Sequence, residues 1–549
     1  VTAPATEPPA IEPVRVREPQ AAPPPGTAAV KQGIEERLLT VETETATLVF
    51  SSRGAVVESW RLKSYGDGNG EPLELVRGGV TGLGYPLSFE LIDDEQERTL
   101  NNALYTMTPS AGPVRAPAQL LFEWSDGRLA ARKRFRVTRE GLVEIKTEVR
   151  EDGQLLEHAL AWRGGFGAPT RSSFAQRSAQ ATVFVRGPQK LLRQPAVQAG
   201  QQTGWIFKSD SPFPYTGEAS YAGLDDRYFA AVFFPERPEM SVHARTQAWT
   251  PEGEERPQTV GLLWVSAPAG VPVQLFVGPK ALDVLEHIEP APFANGTRAQ
   301  PEDELVDFGW FWWIAKPLFW AMRWLYDNGI ANYGWVIVLL TILINAAMFP
   351  LRWKSMQSSY KMQRIAPQVR AIQTRYKQYK FNDPRKQQMQ QEIMGLYKQH
   401  GVNPIGGCLP MLLQMPFFFG FYTMLLIAIE LRQAPWILWI QDLSEPDPYF
   451  ILPILVTASM FLSMRMTPMS APDPNQKRMQ YIMVGVFAYL FFVVSAGLVL
   501  YWFVSNLLSV GQQWWINKRQ RMREAAEKAA ARGRKKKKHK RELEAEAGS

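Results

Sequence analysis

Met479 to Asn517 reads MQYIMVGVFAYLFFVVSAGLVLYWFVSNLLSVGQQWWIN, 39 residues without an Asp, Glu, Lys or Arg. As one helix it would be roughly 58 Å long, about twice the thickness of a bilayer's hydrocarbon core. It must fold back on itself, and the small residues Ser495-Ala-Gly497 mark the turn. Two spans, near 479–495 and 497–515, follow from this stretch alone. Outward from it lie three more uncharged runs: Pro448–Met464, Gln399–Ile429 and Asn328–Leu351. They predict spans near 448–465, 409–429 and 332–351, giving five transmembrane helices within residues 328–517.

Lys and Arg in the connections set the orientation, because they accumulate on the cytoplasmic side. Leu351–Pro410 carries eleven basic residues and two acids, and Lys518–Arg541 carries thirteen and two. Gln433–Phe450 holds no basic residue but has Asp442, Glu445 and Asp447. The 351–410 segment and the 518–549 tail are therefore read as cytoplasmic, and everything before about residue 310 as outside. A domain of that size crosses a membrane only behind a signal, so an anchor upstream of Val1 is expected. Within 353–400, Met362, Ile365, Val369, Ile372 and Tyr376 are spaced 3-4-3-4, and Met389, Ile393 and Leu396 continue the pattern after Asn382-Asp-Pro384. That is a heptad seam interrupted by turn chemistry, and it predicts an antiparallel cytoplasmic helical hairpin. The hairpin is either a linker that enforces topology or a docking arm.

The whole chain of 549 residues has a net charge of +8, and this average conceals two halves. Residues 1–310 hold 31 basic and 40 acidic residues, and residues 311–549 hold 30 and 13. Residues 1–36 contain eight Pro and little apolar content, the composition of a disordered linker. Short β-branched and aromatic runs follow, among them Thr45–Phe50, Val56–Trp60, Gln119–Trp124, Val143–Val149, Phe229–Phe234 and Val260–Val265, separated by Gly-rich turns. They predict a β-sandwich over 37–300, with one short helix near Pro279–His287. Gly309–Tyr326 (GWFWWIAKPLFWAMRWLY) has eight aromatics, with Lys316 and Arg323 on one helical face. It suits an amphipathic helix at the membrane interface, the alternative being a buried helix of the β domain.

One cysteine, five scattered histidines and no phosphate-cradling glycine loop leave no metal, cofactor or catalytic constellation to expect. The polar residues inside the spans draw attention instead. Thr341 and Asn345 lie four apart on the first span, and Tyr501, Ser505 and Ser509 lie at i, i+4, i+8 on the last. Polar side chains in lipid usually face a bundle interior or a wet cavity, although they can also act as interhelical hydrogen-bonding glue. Arg534-Lys535-Lys536-Lys537-Lys538-His539-Lys540-Arg541 is the densest positive charge in the chain. It reads either as a topology-fixing tail or as a non-specific contact for ribosomal RNA or anionic lipid headgroups. No DNA partner is expected.

Val402-Asn-Pro-Ile-Gly-Gly-Cys-Leu-Pro-Met-Leu-Leu-Gln-Met-Pro416 resembles the signature of YidC-type membrane protein insertases. Leu431-Arg-Gln-Ala-Pro435, Asp447–Pro453 and Ser495–Asn506 are similar to the same family in the same order. So are Val41–Val76 and Leu275–His287, and the resemblance covers about 38 to 520. It implies a non-enzymatic insertase and chaperone of the bacterial inner membrane, acting alone or with the Sec translocon on nascent membrane proteins. It also implies a periplasmic β-supersandwich and a polar groove between the five helices, open to the cytoplasm and to lipid. The groove residues expected here are Thr341, Asn345, Arg352, Gln414, Met415, Phe418, Tyr501, Trp502 and Ser505. Ribosome or lipid contact is expected from Arg534, Lys535, Lys536, Lys537, Lys538, Lys540 and Arg541. Many family members have an Arg where this chain has Asn345, so Arg352 becomes the nearest cation. A solute transporter and a membrane-tethered carbohydrate-processing protein are the rival readings; clear inverted repeats, which a transporter would show, are missing.

Overall fold

The structure, a computed structural model, describes residues 29–67, 70–167, 181–201, 210–250, 258–268, 270–379, 383–401, 409–466 and 474–546. Strand Leu129–Val137 (LAARKRFRV) shows how its first half folds. Leu129, Ala131, Lys133, Phe135 and Val137 point inward, while Arg132, Arg134 and Arg136 face solvent, the two-residue period of a half-buried strand. It pairs antiparallel with Val143–Glu151 on one side and Ala118–Ser125 on the other. Twenty strands form three sheets of five, ten and five strands among the described residues. Phe50, Phe122 and Phe135 meet in the core with ring centroids 5.1–6.2 Å apart. The expected strands are all present within a few residues, and the short helix lies at Leu282–Leu285.

The linker boundary shifts. Lys31 pairs with Ser125 and the Gly33 amide donates to Leu104 O, so the β domain begins several residues before 37. Residues 1–28 lie outside the described residues.

Strand Phe229–Pro235 (FAAVFFP) is buried at every position. A continuous apolar run is what a strand covered on both faces requires. Its second face is covered by the helical half. Phe184, Tyr221, Val232, Phe234 and Phe276 share one hydrophobic cluster with Phe319, Met322, Val336 and Phe421. Polar ties reinforce this junction. Arg186 pairs with Glu304 at 2.6 Å, Lys316 with Asp303, and Arg323 lies 3.6 Å from Asp283. The Gln433 amide both accepts from the Gly66 N–H and donates to its carbonyl, each at 3.1 Å. Arg432 stands over the Phe229 ring, 5.2 Å from its centroid.

Among the described residues seven long helices follow: α1 Trp312–Asp327, α2 Tyr333–Arg375, α3 Arg385–Gln399, α4 Leu409–Ile427, α5 Ile451–Met466, α6 Pro474–Phe491 and α7 Ala496–Glu546. On α1, Ile314, Ala315, Phe319 and Met322 are buried while Trp312, Trp313, Trp320 and Trp324 are exposed, an amphipathic division. The chain does reverse between α6 and α7. The first residues of α7 are pinned from outside, Ala496 N–H donating to Glu445 O at 2.7 Å and Gly497 N–H to Leu443 O at 2.9 Å. A side chain on Gly497 would stand 3.0 Å from that same carbonyl.

Two expected boundaries vanish. The 332–351 segment and the first arm of the hairpin are one 43-residue helix, α2, continuous through Pro350 and Pro367. The 497–515 segment and the basic tail are likewise one 51-residue helix, α7. Arms α2 and α3 meet along the expected seam, with Val369, Ile372 and Ile393 buried against Tyr376, Met389 and Leu396. Among the described residues α2 is the one helix long and apolar enough, by length and composition, to cross a membrane; Gln414–Ile427, Ile451–Met466 and Arg478–Phe491 are shorter apolar segments.

Candidate functional site

Where α2, α4 and α7 converge, the polar residues of otherwise apolar helices meet. Thr341, Asn345 and Arg352 stand at i, i+4 and i+11 of α2, three helical turns on nearly one line. Opposite them, Ser505, Ser509 and Gln512 occupy i, i+4 and i+7 of α7. The Thr341 hydroxyl is fully buried and donates to Ile337 O one turn back at 2.7 Å, the usual way a helix interior absorbs a hydroxyl. Asn345 Nδ2 donates to Thr341 O at 2.8 Å and reaches Ser505 Oγ at 3.4 Å.

Arg352 closes the end of the row nearer the α2–α3 hairpin. Its side chain is buried, 7% exposed, yet its donors are served by neutral groups on two other helices. Nη1 donates to Ser509 Oγ at 2.9 Å and Gln512 Oε1 at 3.4 Å, and Nη2 donates to Gln414 Oε1 at 2.8 Å. No carboxylate takes part in these bonds. The guanidinium is thus solvated by neutral groups of the protein and not neutralised by them.

An aromatic wall adjoins this seam. Phe421 stacks on Tyr501 with centroids 4.3 Å apart, and Phe418 meets Trp502 edge-on at 4.6 Å. Trp502 is half-buried, and Met415 is exposed. The structure therefore brings together Thr341, Asn345, Arg352, Gln414 and Ser505, and sets Phe418, Tyr501 and Trp502 beside them. Ser509 had a place in the sequence pattern without a partner assigned. Gln512 was missed, although it extends the Ser505–Ser509 spacing by one further turn. Residues 402–408 of the family-like signature lie outside the described residues, as do the side chains of Arg534, Lys535, Lys536, Lys537, Lys538 and Lys540 together with Arg541; the backbone there continues α7. Among the described residues, no group of three or more His, Cys, Asp or Glu could hold a metal ion.

Two family models match this architecture in sequence. Residues 38–321 match the YidC periplasmic domain, and residues 324–524 match the 60Kd inner membrane protein. Together they define a class in which a β-rich periplasmic domain precedes a helical inner-membrane part. A membrane protein insertase YidC from Syntrophus aciditrophicus is 31% identical over 518 residues, spanning 88% of this chain and 86% of that protein. The chain belongs to the YidC family. The same-named protein of Wolinella succinogenes is 42% identical over 313 residues, 57% of this chain and about half, 53%, of that relative's length. A crystal structure of an active YidC insertase with its first transmembrane domain resolved is 18% identical, with TM-score 0.35, covering 88% of this chain and 94% of that one.

Proposed function

We propose that this chain inserts nascent hydrophobic segments into the bacterial inner membrane along the seam between α2 and α7. The observation that carries the reading is Arg352, buried among apolar helices and held by Gln414, Ser509 and Gln512 without a carboxylate. An intramembrane cation kept at this expense is a functional group by default. In this reading five helices span the bilayer near 332–351, 409–429, 448–465, 479–495 and 497–515. Residues 1–310 are periplasmic, and the α2–α3 hairpin and the C-terminus are cytoplasmic.

A client segment enters between α2 and α7 from the cytoplasm, and its acidic flank meets Arg352 first. The neutral groups Asn345, Thr341 and Ser505 then replace water along the polar flank's path, while Phe418 and Trp502 contact the apolar part. Partitioning of the segment into lipid supplies the driving force, and no bond is made or broken. The Sec translocon and the ribosome are partners this reading takes over from the family resemblance.

A photocrosslinker placed at Trp502 tests it. We expect adducts with a ribosome-stalled membrane protein from position 502 but not from Ile482, which is 62% exposed on α6, away from the seam. Arg352→Leu should lower insertion of a client with an acidic outer flank while Arg352→Lys retains most of it. Equal adducts from both positions, or a fully active leucine variant, would overturn the reading.

A further inference from the structure

Just beyond the seam, α7 carries Trp514 and Trp515 followed one turn later by Lys518 and Arg519. The spacing is i, i+4 twice over, so each cation lies above its own indole. Lys518 Nζ is 5.3 Å from the Trp514 centroid, and the Arg519 guanidinium is 4.3 Å from that of Trp515. Trp515 also packs on Trp353 of α2, 5.2 Å between centroids. That contact fixes the ring from the other side. Despite this packing Trp514 remains 57% exposed and Trp515 37%.

Two further features set the charge of this patch. Helix α2 contains no Asp or Glu, and neither does α7 before Glu524. Among the described residues neither Lys518 nor Arg519 forms an ion pair. Their positive charge is therefore uncompensated, immediately beside exposed indoles at the end of an apolar stretch. Indoles settle at headgroup depth, and unpaired basic residues there attract anionic lipid.

We propose that Trp353, Trp514, Trp515, Lys518 and Arg519 form a binding site for the phosphate headgroup of an anionic phospholipid of the cytoplasmic leaflet. The two cations take the phosphate and the indoles take the glycerol backbone and upper acyl chain. Because both cations are stationed over indoles, and the Trp515 ring is itself packed on Trp353, the site is preorganised, unlike a flexible basic tail. The inference rests on the proposed reading only in placing this end of α7 at the cytoplasmic surface.

The test is titration of the full-length protein in neutral detergent with phosphatidylglycerol, read by native mass spectrometry, with inorganic phosphate as the second ligand. Lys518→Gln/Arg519→Gln should weaken phosphatidylglycerol binding about 30-fold, the effect of two surface charges at low salt. Arg521→Gln/Arg523→Gln removes equal charge from the same helix and should change it far less. Trp514→Leu/Trp515→Leu should weaken lipid binding while leaving phosphate binding as in the parent. Equal loss in both charge variants would reduce the site to diffuse electrostatics and overturn the proposal. So would a Lys518→Gln/Arg519→Gln protein that keeps phosphatidylglycerol but loses ribosome co-sedimentation, since the patch would then be an RNA contact. Labelling of Arg523→Cys in a Cys408→Ser background, from either side of sealed vesicles, checks the topology separately, and crosslinking from Trp502 checks the insertase reading.

Discussion

Lys133 is the one charged residue at an inward position of its strand, completely buried and without a carboxylate partner. Its Nζ donates to Gly54 O, Ala55 O and Leu87 O at 2.8, 3.2 and 2.6 Å, three backbone carbonyls at which the chain turns through positive φ. Burial holds its ammonium well below the ordinary lysine range. Between that lowered value and about 10.4 the unfolded chain binds a proton that the folded chain has released, so stability rises with pH across this window. We expect Lys133→Met to flatten that rise in denaturant midpoints and to cost roughly 2–4 kcal/mol at neutral pH, because the carbonyls lose their donor. Nothing local separates Lys133 from its exposed neighbours Arg132 and Arg134; only the register set by Leu129, Ala131 and Phe135 does. In the seam, Asn345→Leu should impair insertion of an acidic-flanked client more than Asn345→Arg, at matched expression, because leucine removes the partner of Ser505. A fully active leucine variant beside an inactive arginine variant would make this position ordinary helix packing.

At the level of elements, the reversal between α6 and α7 and the α2–α3 seam were legible, because both are written in apolar spacing. The fusion of the first apolar run with the hairpin arm, and of the last with the basic tail, was not. Charge beginning at Arg352 and Lys518 signals a change of surroundings, whereas a helix stops only where its backbone hydrogen bonds do. Proline ordinarily breaks or kinks a helix interior, yet α2 runs through both Pro350 and Pro367. The approach of α2 to the 431–443 loop was equally invisible. A Cβ on Gly334 would stand 2.1 Å from Trp436 Cδ1, while Asn332 Nδ2 donates to Pro435 O and Trp436 O at 3.1 Å. Gly334→Ala must push the loop away, and we expect a loss of about 1–3 kcal/mol, seen as a lower thermal midpoint in detergent. The expected groove residues Thr341, Asn345 and Ser505 could be read from four-residue spacing. Gln512 shares the helical face of Ser505 and Ser509, but only its position across from Arg352 gives it a role.

For the whole molecule, the shared hydrophobic cluster means that the β domain and the helices fold as neighbours and not as beads on a string. Their functions need not be fused. All seam residues lie beyond 340, so deleting residues 37–290 while keeping Pro301–Asp327 should preserve insertion of a short client. The same deletion exposes Phe319, Met322 and Phe421, so the thermal midpoint should fall even where insertion survives. Complete loss of insertion by a stably inserted deletion protein would assign the β domain a direct part. The sequence divided these two halves correctly by charge, but gave no sign of the Gly66–Gln433 tie, which joins residues 367 positions apart.

The length of α7 decides what its far end can touch. From Trp515 to Arg534 the helix advances 19 residues, roughly 28 Å along its axis, and even a 45° tilt leaves about 20 Å of height. Electrostatic influence in physiological salt fades over about 8 Å. In the proposed placement, with Trp515 at headgroup depth, the Arg534–Arg541 cluster is carried on a mast, beyond the reach of the bilayer's own field, while Lys518 and Arg519 stand at its foot. Removing residues 534–549 should accordingly abolish salt-sensitive ribosome co-sedimentation and leave phosphatidylglycerol binding as in the parent. One helix would then address two polyanions, sorted by altitude alone.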